Sequence, residues 1–96
     1  MKRFMLLMVG FEKPTPEIMK AWSAWFESVG DKIVNQGGFH GDAFEISDRG
    51  TENLTMGIDS ITGYTIIEVE DLEEAKKVAA ANPYISSIKV YEIMGK

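Results

Sequence analysis

Residues 3–9, RFMLLMV, and 64–70, YTIIEVE, carry large apolar side chains at consecutive positions rather than at alternate ones. Successive side chains of a strand point to opposite faces, so a strand made from either run is oily on both. Such strands belong in the interior of a sheet that is covered on two sides. The chain has 96 residues, the length of one domain. A domain that short leaves much of its surface uncovered. The elements around the two runs therefore decide what can cover them.

Pro14 and Pro16 exclude a continuing ladder after the first run. Thr15 is a suitable N-cap, with Pro16 at the first helical position and Glu17 in the positive first turn. Ile18, Trp22, Trp25, Phe26, Val29 and Ile33 then recur as one apolar stripe of a 3.6-residue period. Gly37-Gly38 reads as the end of that helix, where a left-handed residue is favoured. FHGDAFEIS, residues 39–47, reads as the second strand. SDRG is its turn, with Gly50 in the left-handed slot of a bulged hairpin, and TENLT a short return strand. MGIDSITG reads as a loop leading to the third strand, YTIIEVE. DLEE opens a second helix as a capping box, Asp71 bonding the Glu74 amide while the Glu74 carboxylate reaches back. Leu72, Ala75, Val78 and Ala79 form its stripe, Asn82-Pro83 ends it, and SSIKVYEIM is the last strand.

This order predicts an α+β fold: ferredoxin-like βαββαβ, an antiparallel four-stranded sheet with two helices on one face, over residues 1–96 as a single domain. The helices cover one face only. Both central strands are apolar on both faces, as Leu6/Leu7 and Ile66/Ile67 show. The other face would therefore expose Leu, Ile, Val and Met in a contiguous patch, which a soluble monomer rarely tolerates. The expectation is a homodimer that pairs through the sheet faces.

Composition narrows the partners. The formal net charge is −5 and the ten Lys and Arg residues are scattered, so neither a nucleic-acid backbone nor an anionic membrane is an expected partner. There is no cysteine, which removes disulfides and thiolate metal sites. The opening run is shorter than a secretory core of about 7–15 residues, and no stretch approaches the roughly 20 apolar residues of a membrane span. The expected location is the cytoplasm, and Asn53-Leu54-Thr55 is then a chance glycosylation match.

Residues 63–94 resemble the YCII-related (DGPF-type) family. The matching pieces are Gly63-Tyr64, the apolar strand ending Glu68-Val69, the D-L-x-E-A start at Asp71 to Ala75, Pro83, and a final strand of V-x-x-I type. FMLLMVG and the Trp-bearing first helix fit the same pattern more loosely. The resemblance implies a subunit pairing sheet to sheet as a dimeric α+β barrel, a superfamily of cofactor-free monooxygenases, lactone isomerases, haem enzymes and proteins with no assigned reaction. Two departures stand out. Family members often pair a histidine on the first helix with an aspartate before Pro-Tyr; here Asn82 precedes Pro83-Tyr84, and residues 16–36 hold no histidine. The D-G-P-F signature is replaced by MGIDSITG, where Asp59 is the nearest acidic residue.

Candidate chemistry centres on the only histidine, His40, and on Asp42 two residues on. Residues two apart on a strand share a face, and an imidazole can act as a general base near neutral pH. The competing reading is a strand end with two solvated polar residues. No H-x-x-x-H, acidic calcium loop or G-x-S-x-G elbow is present, and GGFHG follows a helix, the reverse of a phosphate-cradling loop. No metal and no cofactor is expected. Trp22, Trp25 and Phe26 are either core or, with His40, the wall of a cleft between helix and sheet. Such a cleft, made pliable by Met5, Met8 and Met19, suits a small apolar or aromatic molecule. Two functions follow. One is a non-enzymatic protein that binds such a molecule or serves as an assembly module. The other is a cofactor-independent isomerase or monooxygenase with His40 as base, Asp42 orienting it, and Trp22 and Phe26 walling the pocket.

Overall fold

The computed structural model describes residues 1–39 and 42–94. Its elements are β1 (Lys2–Val9), α1 (Pro16–Val29), a 3-10 turn (Gly30–Lys32), β2 (Ile33–Gly38), β3 (Ala43–Ser47), β4 (Gly50–Leu54), β5 (Ile61–Val69), α2 (Leu72–Ala80) and β6 (Ser87–Glu92). β2, β5, β1 and β6 form, in that order, a four-stranded antiparallel sheet. The two apolar runs are its central strands. Both helices lie on one face, which makes the fold ferredoxin-like. Among the described residues no helix is long and apolar enough to cross a membrane.

Local signals account for the helix starts. Thr15 Oγ1 accepts from the Ile18 amide at 3.2 Å. Asp71 Oδ1 accepts from the Glu74 amide at 2.9 Å, and the Glu74 carboxylate reaches back to the amide of Glu70 at 2.8 Å. Phe4, Leu6 and Met8 of β1 and Ile67 and Val69 of β5 pack under Trp25 and Val29 of α1 and under Ala75, Val78 and Ala79 of α2. The alanines let α2 lie close to the strands. Each large apolar side chain buried there stabilises the fold by about 1.5–3 kcal/mol.

The second strand differs from the sequence reading. Ile33 lies four residues after Val29, at helical spacing, yet α1 stops at Val29 and Ile33 opens β2. Gly30 weakens the helix there, and the β-branched pair Ile33-Val34 favours an extended chain. Gly37-Gly38 is therefore no helix cap but the end of β2, paired with Tyr64 and Gly63. Positive φ occurs among the described residues only at Gly10 and Gly50. The demand at Gly37 is space: a Cβ there would stand 2.7 Å from the Tyr64 ring. The segment expected as the second strand instead supplies β3, which pairs with β4 in a separate hairpin. Gly50, at φ +114°, turns that hairpin as its position in SDRG predicts.

The other sheet face carries Met5, Leu7, Tyr64, Ile66 and Tyr91, which lie opposite one another in register. Met5, Leu7, Tyr64 and Ile66 are half-buried and Tyr91 is exposed. The Arg3–Glu68 ion pair, 3.2 Å, sits at one end of this face. No helix among the described residues covers it.

Candidate functional site

A cleft of about 440 Å³ opens between α1 and the β2–β5 side of the sheet. Its wall is Trp22 and Phe26, whose ring centroids stand 5.6 Å apart. Its floor is built from Gly37, Gly38 and Gly63, with Met8, Thr65 and Gln36 beside them. Gly38 and Gly63, paired across the ladder on the helix side, create the space, because a side chain at either place would rise into the room beneath the rings. Gly37 contributes backbone only, a side chain there being directed at the Tyr64 ring. Close approach of the two strands fixes one of the glycines: a Cβ on Gly63 would lie 2.9 Å from the Gly37 carbonyl oxygen. Thr62 is the extra residue where the β1–β5 register shifts. Together with Trp22 it also lines a second hollow of about 290 Å³ towards Ile18, Met19 and Phe39.

The three aromatic residues of α1 separate by role. Trp25 is only 3% exposed, and its indole Nε1 donates to the Val78 carbonyl at 3.0 Å. The amide four residues on, that of Asn82, goes to Ala79 instead. Val78 is thus one of the carbonyls left over at a helix end, and the indole satisfies it. Trp25 meets Phe26 edge-on at 5.1 Å and Trp22 at 6.0 Å. It backs the wall from the core side and does not line the cleft. Trp22 and Phe26 do.

No charged side chain lines the first cleft among the described residues, and one, Glu12, lines the adjoining hollow. Asp42 is exposed and borders neither. His40 lies outside the described residues, so its pairing with Asp42 has no geometry to report. Asp59 borders a different hollow, of about 590 Å³, on the opposite sheet face with Leu7, Ile61 and Leu54. No group of three or more His, Cys, Asp or Glu side chains among the described residues is placed to hold a metal ion. Asn82 is buried, with neither amide atom hydrogen-bonded within the protein. A carboxylate in that position would bury an unpaired charge, at greater cost than the neutral amide.

The floor is what sequence reasoning missed. Gly37-Gly38 and Gly63 were available as a signal, since glycine inside a strand marks a close backbone approach, but only once residues 33–38 are known to be a strand. Thr65 and Gln36 are brought opposite each other by the β2–β5 register, which no local pattern specifies.

The architecture is that of a ferredoxin-like α+β subunit. No family model and no curated protein matches the chain. Among solved structures it is similar to 5-chloro-2-hydroxyhydroquinone dehydrochlorinase (TftG) from Burkholderia phenoliruptrix AC1100, in complex with 2,5-dihydroxybenzoquinone. The TM-score is 0.62 at 16% sequence identity, over 98% of this chain and 95% of that one. At that identity the likeness is one of fold.

Proposed function

We propose that this chain is a YCII-like homodimeric protein that binds a small apolar or aromatic molecule in the cleft beneath Trp22 and Phe26. The observation that carries the reading is the cleft itself: an aromatic wall over a glycine floor, with no charged side chain among the described residues. Its volume, about 440 Å³, falls in the range of small-molecule sites. The fold neighbour's complex with a small quinone supports the same reading. The dimer rests on the uncovered sheet face, where Met5, Leu7, Ile66, Tyr64 and Tyr91 would otherwise meet water.

Light scattering on the purified protein should give twice the 10.7 kDa subunit mass at micromolar concentration; a single subunit mass refutes the dimer. Titration with hydroquinone should change the tryptophan emission, and Trp22→Ala should weaken binding at least tenfold. Unaltered affinity in that variant would remove the cleft from consideration.

A second reading is cofactor-independent catalysis on a small organic substrate, with His40 as general base and Asp42 orienting it. It draws on the fold neighbour being a dehydrochlorinase of a hydroxyhydroquinone. Under it, His40→Ala abolishes turnover while binding and melting temperature stay unchanged. Binding without turnover in the unaltered protein decides for the first reading.

A further inference from the structure

Four polar side chains line the cleft among the described residues, Gln36, Thr62, Tyr64 and Thr65. The Thr62 hydroxyl is already engaged, donating to the Met8 and Gly10 carbonyls. Thr65 is fully buried, and its Oγ1 has no hydrogen-bond partner within the protein. Directly across the β2–β5 ladder stands Gln36, which lines the same cleft. A buried hydroxyl without a partner is costly, and such groups are few in folded proteins. Rotation about χ1 carries Oγ1 to another of the staggered positions around Cβ. A Gln side chain offers both a donor and an acceptor. Small-molecule sites use this kind of arrangement: apolar walls for area and a few convergent polar groups for orientation.

Charge sets the second limit. No Lys, Arg or His lines the cleft among the described residues. A carboxylate or phosphate drawn under the rings would lose its hydration and gain no cation. Flat aromatic surfaces at Trp22 and Phe26 favour a planar ring, by stacking or edge-to-face contact.

Building on the cleft reading above, we propose that the ligand is an uncharged aromatic ring carrying an oxygen substituent, a hydroxyl or a carbonyl, which hydrogen-bonds Thr65 and Gln36. The ring lies against Trp22 and Phe26, and its oxygen is directed to the β2–β5 side of the floor. Thr65 thereby acts as a specificity residue, idle in the free protein and paired in the complex.

Calorimetric titration of the intact protein with hydroquinone, toluene and benzoate tests this. Hydroquinone should bind at least tenfold more tightly than either of the others, toluene failing for want of an oxygen and benzoate for its charge. Thr65→Val keeps the shape of the side chain and removes the unpaired hydroxyl. It should raise the melting temperature of the free protein and reduce the hydroquinone preference over toluene to less than threefold. Gln36→Leu, at an exposed strand position that does not threaten folding, should reduce the same preference. If hydroquinone and toluene bind equally, or benzoate binds as well as hydroquinone, the inference is overturned while the cleft remains a binding site. A preference that survives both substitutions overturns the assignment to Thr65 and Gln36. If none of the three binds, the cleft reading falls along with it.

Discussion

Trp25→Ala should lower the unfolding free energy by about 3–5 kcal/mol, the range for removing a buried indole. A chain of this length has in total about 5–14 kcal/mol to lose. Two terms act together. The side chain is 3% exposed among Phe26, Trp22 and the face of α2, so its removal leaves a cavity that the sheet cannot fill. Its Nε1–H also occupies the Val78 carbonyl at 3.0 Å, which would be left buried without a donor. Trp25→Phe separates the terms: it keeps most of the ring area and loses the hydrogen bond, and should cost about 1–3 kcal/mol. Trp22→Ala, three residues earlier on a half-buried ring that lines the cleft, should cost less than Trp25→Ala. Urea unfolding followed by circular dichroism measures all three. Equal losses for Trp22→Ala and Trp25→Ala would mean that the two rings do not divide between cleft and core.

That division marks where the sequence stopped being readable. Both tryptophans fall on one helical stripe, and periodicity assigns them the same face. What lies under each ring separates them. Beneath Trp25 are α2 and the Val78 carbonyl, and beneath Trp22 are glycines of β2 and β5. Elements governed by neighbours in sequence were legible: the Thr15 and Asp71 caps, the turn at Gly50, and the two central strands with apolar side chains on both faces. β2 was not. Ile33 keeps helical spacing from Val29, and Gly37-Gly38 has the composition of a helix end. Only contact with Tyr64, 27 positions later in sequence, shows that the pair serves close packing between strands. The cleft floor depends on that same long-range register, so Thr65 and Gln36 could not be placed opposite each other from local pattern. For His40 and Asp42 the sequence offered proximity alone, and Asp42 is exposed away from the cleft.

Gly38→Leu should abolish hydroquinone binding, with at least a tenfold loss of affinity, and leave the fold intact. Of the three floor glycines it is the one with room. A Cβ at Gly38 meets nothing nearer than the Thr62 carbonyl oxygen at 4.0 Å, against 2.9 Å to the Gly37 carbonyl for Gly63 and 2.7 Å to the Tyr64 ring for Gly37. Register pairs Gly38 with Gly63, and Gly63 with Met8. A side chain at Gly38 therefore rises on the helix side, into the space beneath Trp22 and Phe26. Leucine suits an extended backbone better than glycine, so the melting temperature should hold or rise slightly. Gly63→Ala is the opposite case. It adds one carbon against backbone that cannot yield cheaply, and should cost about 1–3 kcal/mol. The two variants thus dissociate occupancy of the cleft from integrity of the sheet. Should Gly38→Leu bind hydroquinone as well as the unaltered protein, the ligand would have to sit elsewhere, and the hollow beside Leu7 and Ile61 on the opposite face would be the place to look.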